Sequence, residues 1–241
     1  MSKISLPNLI VQKDVKKNCT ASVYLESENI KILCYLNGPF FSSNNQINNN
    51  FNVILDIKIK IPSYIENALV KNTNDYEINI ENILKKHILT EKYPRTKMEI
   101  FFEIFEFNIN YLPFCLMAVS LCLNYAGVEQ KGLLTSCNLL MKNDKIEVNP
   151  ILNENNEKNN ENNNENNENN EKNNENNEKN NENNNNNKIE SANFLLGYNI
   201  ALNENILFIQ EGECSEENLK KSLATSIKIC ECYHNFLITK I

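Results

Sequence analysis

The stretch Leu112–Ala126, LPFCLMAVSLCLNYA, constrains this chain more than any other. Almost every side chain in it is apolar; only Ser120 and Asn124 are polar. Pro113 sits where the first helical turn tolerates a missing N–H. Gly127 stands where a left-handed C-cap ends a helix. A helix apolar on all sides must be buried, and this one is shorter than the ~20 residues needed to cross a bilayer. The sequence therefore predicts the central helix of a soluble core, lying against the strand before it.

That strand is Thr96–Phe107, TKMEIFFEIFEF. Met98, Ile100, Phe102 and Ile104 alternate onto one apolar face, with Glu106 continuing the series. Lys97, Glu99, Phe101, Glu103, Phe105 and Phe107 alternate onto a mixed face. Aromatic residues on a mixed face point to an interface, so Phe101, Phe105 and Phe107 are the candidates for contact with a neighbouring chain.

Around this pair the chain reads as a mixed α/β (α+β) domain. Residues 1–18 form an irregular or edge-strand start. Cys19–Ser27 and Ile30–Asn37 are strands joined at Glu28-Asn29, and Gly38-Pro39 stops the second. Ser42–Asn50 is an Asn-rich loop. Asn52–Ile61 places Val53, Leu55, Ile57, Ile59 and Ile61 on one face of a half-exposed strand. Tyr76–Leu89 is an amphipathic helix with Ile80, Ile83, Leu84 and Ile88 inside and Lys85, Lys86 and His87 on or beside the polar side. Leu133–Lys142 and Lys145–Val148 pair around Asn143-Asp144, and Asn193–Leu202 and Ile206–Gln210 pair around Asn203–Asn205. Ser215 caps a last helix with Leu219, Leu223, Ser226, Ile227 and Cys230 as its inner stripe.

Asn153–Lys188 holds only Asn, Glu and Lys. It has nothing apolar to bury against its ordering entropy. The 241 residues thus reduce to one core of roughly 200, a single domain interrupted by this insert. The net charge of −7 owes part of its size to the insert and argues against autonomous nucleic-acid binding, which shows as a basic patch. The eight cysteines include no CxxC pair, and Cys34, Cys115, Cys122 and Cys137 lie in apolar runs. MSKISLPNLIVQKD lacks the apolar run of a secretory leader, so a reducing compartment is expected. Cys230, Cys232 and His234 fall short of the four ligands of a structural zinc site, and neighbours at i, i+2 do not share a helix face. Nothing in the sequence supports a Cys–His nucleophile built on His87.

Several stretches in order carry a resemblance. ASVYLESENIKILCYLNGP resembles the opening hairpin of the RNase PH fold, YPRTKMEIFFEIFE its next strand, and LPFCLMAVSLCLNYAGV its central helix. LLTSCNLLMKNDKIEVNP, ESANFLLGYNIALNENILFIQ and ECSEENLKKSLATSIKICECYHNFL resemble its remaining strands and C-terminal helix. The likeness implies a single RNase PH-type domain of the ribosomal-protein-S5-domain-2-like kind. Within the family the chain is most similar to ring subunits of the eukaryotic RNA exosome. YPRT leans toward the subunit called exosome component 5, with the messenger-RNA-transport-type subunit as the near alternative. The start lacks the R-x-D-G-R element of bacterial RNase PH.

The resemblance also says where a site would lie. Active members grip phosphate with a G-G-T-R turn at the start of the central helix; those positions fall on Ile109, Asn110, Tyr111 and Leu112. Their paired metal-binding acids fall on Asn149 and Glu190. An anion seat needs close backbone approach and an Arg fork, which Ile and Leu cannot supply. A lone carboxylate holds Mg²⁺ poorly. The expectation is a chain with no catalytic residues, no metal and no cofactor. It would serve as a structural subunit of a hetero-hexameric exosome ring, supporting rRNA maturation and RNA turnover in nucleus, nucleolus and cytoplasm. Expected partners are other RNase PH-like subunits, RNA cap subunits, a separate 3′–5′ nuclease and RNA, with no membrane. Lys85, Lys86 and Arg95 are the candidates for RNA phosphate contact. The alternatives are an active phosphate-dependent 3′–5′ exoribonuclease and a stand-alone RNA-binding module.

Overall fold

The computed structural model describes residues 8–41, 53–62, 73–107, 109–142, 145–151 and 191–241. The Asn-rich loop, the Asn143-Asp144 turn, Glu190 and the insert lie outside the described residues. Among the described residues, nine strands and three α-helices follow in chain order: β1 (Ile10–Lys13), β2 (Ala21–Ser27), β3 (Ile30–Phe41), β4 (Ile54–Lys60), α1 (Thr73–His87), β5 (Thr96–Phe107), α2 (Leu112–Tyr125), β6 (Leu134–Lys142), β7 (Lys145–Val148), β8 (Ser191–Asn199), β9 (Glu204–Glu213) and α3 (Glu216–Ile238). They form a five-stranded sheet ordered β1-β2-β3-β5-β4 and a four-stranded sheet ordered β7-β6-β8-β9.

Helix α2 lies between the two sheets, packed on β2 and β3 on one side and on β6 and β8 on the other. It is buried from Leu112 to Leu123, as its composition demands. It rests chiefly over β2 and β3 rather than over β5, the strand before it. Gly127 closes it with φ +70°. Ser120, polar in this setting, donates from Oγ to Gln130 Oε1 (3.1 Å) and accepts from the Leu134 amide (2.9 Å). Its cost of burial is thereby met.

Strand β5 departs from strict alternation, and one bulge explains how. Lys31 pairs with Glu106 but Ile32 pairs with Ile104, so Phe105 is the extra residue opposite β3. One added residue reverses the facing of everything beyond it. Phe107, expected outside, is buried at 4% exposure, and Glu106, expected inside, is exposed. The interface reading of Phe107 is therefore corrected: its ring packs edge-on against Tyr111, centroids 5.2 Å apart. Phe105 does stand exposed, and Phe101 stacks on Tyr35 at 5.0 Å and 14° on the outer face.

A second bulge overturns the strand stop at Gly38-Pro39. Strand β3 runs through a cis Gly38-Pro39 bond to Phe41, with the register shifting between Asn37 and Phe40. Gly38 has φ +112°, and a Cβ there would lie 2.7 Å from the Lys97 carbonyl oxygen, so glycine makes the passage.

His87 is buried rather than beside the polar side of α1. Its Nε2–H donates to the Gly132 carbonyl at 2.6 Å, and its own carbonyl accepts from the Lys131 amide. Burial lowers its pKa, with the Gly132 hydrogen bond opposing and Lys131 reinforcing. A depressed histidine contributes stability that is whole above the unfolded value of ~6.5 and is lost as pH falls below it. Burial lowers His234 as well, so it adds to the same window. Denaturant titrations at pH 7.5 and 5.5 should show lower stability at pH 5.5, and His87→Gln should reduce that difference. An unchanged difference would remove His87 as its source.

The last helix is rotated from its expected facing. Asn218, Ser222, Ser226, Ile229, Cys230, Tyr233 and Leu237 are buried, while Leu219, Leu223 and Ile227 lie half-buried on the flank. Small side chains let the backbone approach β6: Cys137 Sγ donates to the Ser226 carbonyl at 3.6 Å, and Ser222 Oγ lies 3.8 Å from Met141 Sδ. Ser215 caps the helix as expected, accepting from the Asn218 amide at 3.4 Å. The second hairpin is offset too, with β8 ending at Asn199 and β9 beginning at Glu204.

Candidate functional site at the start of the central helix

Ile109, Asn110, Tyr111 and Leu112 lead from β5 into α2 and are packed, not open. Ile109, Tyr111 and Leu112 are buried. Asn110 is half-buried, and its Oδ1 accepts from the Leu112 amide at 3.0 Å. A side-chain oxygen thus already occupies a donor that an anion at a helix N-terminus would use. Tyr111 fills the space beyond, its ring edge-on to Tyr76 (5.0 Å, 70°) as well as to Phe107. Its hydroxyl is buried without a hydrogen-bond partner, and burial raises its pKa far above the ordinary phenol value.

Beside Asn110 lies a cavity of about 40 Å³, lined by Tyr76, Asn110, Asn193, Leu195, Ile209 and Glu211. Four elements supply it: the start of α1, the start of α2, β8 and β9. Asn193 and Glu211 are directly opposite in the β8–β9 register, as are Leu195 and Ile209, so all four point to the face that meets α2. Asn193 Nδ2 donates to Glu211 Oε2 at 3.4 Å. Burial raises the Tyr76 pKa, and a hydrogen bond with the Asn110 side chain opposes this. Among the described residues the lining holds one carboxylate and no cation. Cys115, one turn into α2, is fully buried, and burial pushes its thiol well above the ordinary range. It is inert as a nucleophile.

Asn149 was expected at the position of a metal-binding acid and is instead a structural clasp. It has φ +49° and is buried. Its amide donates to the Asn138 carbonyl (2.7 Å), its Oδ1 accepts from the Asn138 amide (3.2 Å), and its Nδ2 donates to the Tyr233 hydroxyl (2.9 Å). The end of β7 is thereby tied to β6 and α3. Glu190 lies outside the described residues. Among the described residues no group of three metal-ligating side chains is assembled. Cys230 is buried with its Sγ 3.9 Å from Cys137 Sγ, whereas Cys232 is exposed, so the two do not share a face.

The candidate cations stand apart from the cavity lining. Lys85 and Lys86 are exposed on the last turn of α1, and Lys85 pairs with Glu81 at 2.6 Å. Arg95 is exposed at φ +57° just before β5, beyond a 3₁₀ turn at Thr90–Lys92. Sequence reading missed Tyr76, Asn193 and Glu211. The pairing of the last two strands was visible in their patterns, but the register that sets Asn193 against Glu211 was not.

On the outer face of the five-stranded sheet, Lys16 Nζ lies 3.5 Å over the Tyr35 ring and 2.9 Å from Glu103 Oε1. Lys97 bridges Asp56 (2.9 Å) and Glu99 (2.8 Å), so this face is charged but internally paired. No helix among the described residues is long and apolar enough to cross a membrane.

Comparisons place this architecture. The sequence model of the 3′ exoribonuclease family, domain 1 (RNase PH), matches residues 6–129. A putative exosome complex component RRP41 of Caenorhabditis elegans is 28% identical over 134 residues, 54% of this chain and 56% of that protein. The exosome complex component Rrp41 of Archaeoglobus fulgidus is 24% identical over 151 residues, 61% and 58% of the two chains. The chain thus spans little more than half the length of these relatives. The crystal structure of Rrp46 from rice (Oryza sativa) superposes with a TM-score of 0.73 at 14% identity, covering 98% of this chain and 95% of the other. That likeness shows the fold. With β1 through α2 falling inside the matched region and the rest completing the same architecture, the chain belongs to the 3′ exoribonuclease family of RNase PH.

Proposed function

We propose that the chain is a catalytically silent RNase PH-like subunit of an exosome ring. The carrying observation is the state of the anion seat: Asn110 caps the Leu112 amide, Tyr111 and Leu112 fill the site with hydrocarbon, and the adjacent cavity, among the described residues, is lined by Glu211 and no cation. Phosphorolysis needs phosphate gripped by backbone amides and a guanidinium; here the donor is taken and the neighbouring charge is repulsive. The exosome names of the sequence relatives support the assembly. The ring place proposed is that of exosome component 5, with an Rrp41-type place as the alternative those relatives raise.

In such a ring the chain would meet RNase PH-like neighbours through the exposed Phe105 and the half-buried Phe101 on the same strand, and would adjoin cap subunits and a separate 3′–5′ nuclease. Lys85, Lys86 and Arg95 are proposed to face RNA phosphates, in nucleus, nucleolus and cytoplasm. Phe105→Glu should reduce recovery of ring neighbours with the tagged chain, while the fold is unchanged because Phe105 is 43% exposed. Incubated with single-stranded RNA and inorganic phosphate, the pure chain should release no nucleoside diphosphates. Their release, abolished by withdrawing phosphate, would establish the active exoribonuclease instead. Tight and steeply salt-dependent RNA binding by the isolated chain would favour the stand-alone RNA-binding module.

A further inference from the structure

The end of the molecule where β3 stops and β5 begins carries an aromatic that the fold does not use. Phe41, the last residue of β3, is 85% exposed, and Phe40 beside it is exposed as well. Phe41 pairs with Thr96, two residues before the buried Met98, so it falls in the core-facing series of the sheet and yet reaches past the core. A phenyl ring left in water contributes nothing to folding. Cations gather around it. Arg95, next to Thr96, is exposed. The Glu129 amide donates to the Tyr93 hydroxyl and the Lys131 amide to the His87 carbonyl, which brings the end of α1, residues 129–131 and the approach to β5 together. The exposed Lys86 and Lys131 are thereby neighbours. On the other side the Gly38 amide donates to Thr20 Oγ1, three residues from the exposed Lys17. The carboxylates nearby are engaged by other lysines: Glu81 holds Lys85, Glu129 holds Lys92, and Asp56 and Glu99 share Lys97. Glu91, exposed in the 3₁₀ turn, offsets one of the remaining cations. The charge this end presents to solvent is positive.

We infer that Phe41 is a stacking platform for an unpaired base of RNA, with Arg95, Lys86 and Lys131 holding the flanking phosphates. The inference rests on the proposed place in an RNA-handling ring and names side chains that make the contact. An exposed ring offers its face to any base, and such stacking is tolerant of sequence. Phe40, on the opposite face of the strand, extends the surface by a second ring. The cations supply the attraction to phosphate. A double helix keeps its bases stacked on one another and turns only phosphates and sugars outward, so the fit is to a single strand. The cations around Phe41 favour a polyanion over the apolar surface of a protein partner.

The test is photo-cross-linking of the full-length chain at low salt to a short single-stranded oligouridine carrying 5-iodouridine, with the modified residue located by mass spectrometry. A cross-link on Phe41 or Phe40 is expected. Phe41→Leu should weaken binding of the same oligomer, followed by fluorescence anisotropy, by about fivefold or more, the loss of one stacked base. Phe41→Tyr keeps a ring and should bind as the unaltered chain does. Phe41 is exposed, so neither variant disturbs the fold. Lys86→Gln should flatten the slope of log affinity on log salt by about 0.7, one phosphate contact of a single strand. Duplex RNA should bind the Phe41→Leu variant and the unaltered chain equally. Cross-links confined to other residues, no cross-link at all, or an equal Phe41→Leu loss for duplex and single strand overturns the inference and leaves the silent-subunit reading standing. Release of nucleoside diphosphates together with a cross-link on Phe41 overturns that reading alone.

Discussion

Replacing Phe102 by Ala should lower the unfolding free energy by about 3–5 kcal/mol, the range for deleting a buried phenyl ring. Phe102 is fully buried in β5, between Cys34 of β3 and Ile59 of β4 in the register. Its neighbours along the inner face, Ile100 and Ile104, are buried too, so collapse around the void is limited. Against a typical total of ~5–15 kcal/mol the loss is about a fifth or more. It should appear in urea titrations as a lower midpoint with an unchanged slope. Phe101→Ala, one residue away on the outer face, removes the stack on Tyr35 and should cost about 0.5–1.5 kcal/mol. Equal losses at the two positions would contradict the assignment of faces.

Gly212→Ala should cost about 2–4 kcal/mol, combining backbone strain with overpacking. Gly212 lies in β9 opposite Ala192, with φ +94°, and a Cβ would come 2.3 Å from the Ser191 carbonyl oxygen. That oxygen is backbone in a paired strand and cannot swing aside. Gly127 gives the control. It has φ +70° but open space around an added Cβ, so Gly127→Ala should cost only the left-handed strain of ~1–2 kcal/mol. A smaller loss at Gly212 than at Gly127 would rule out the steric contribution.

The parts legible in the sequence were those set by local pattern. The composition of α2 announces burial without reference to any partner. The alternation in β5 announces Met98, Ile100, Phe102 and Ile104, all of them buried. The misread parts were those set by a partner. Whether Phe107 faces in or out depends on the bulge at Phe105, which is defined only against β3. Gly38-Pro39 reads as a stop until the approach to Lys97 shows a bulge. The facing of α3 follows from Ser222 and Ser226, which approach β6 more closely than the leucines beside them would permit. At the candidate site, the departures at Ile109–Leu112 and Asn149 were visible in the residues. The cavity wall was not, because Asn193 and Glu211 meet Asn110 only through tertiary folding.

Strands β7 and β8 flank β6 on opposite sides, and this has a consequence for the length of the connection between them. Val148 pairs with Leu139, and Lys142 pairs with Ser191. The two anchor points are thus offset by three residues along β6 and by two strand spacings across it. At about 3.3 Å per residue and 4.8 Å per spacing, roughly five extended residues would bridge the gap. About forty stand there. Closing a connection of that length costs only about 0.6 kcal/mol for each doubling. Excising 153–188 should therefore leave the melting transition intact and raise stability by no more than ~2 kcal/mol. A collapsed transition in the shortened chain would show that the connection bears weight in the fold.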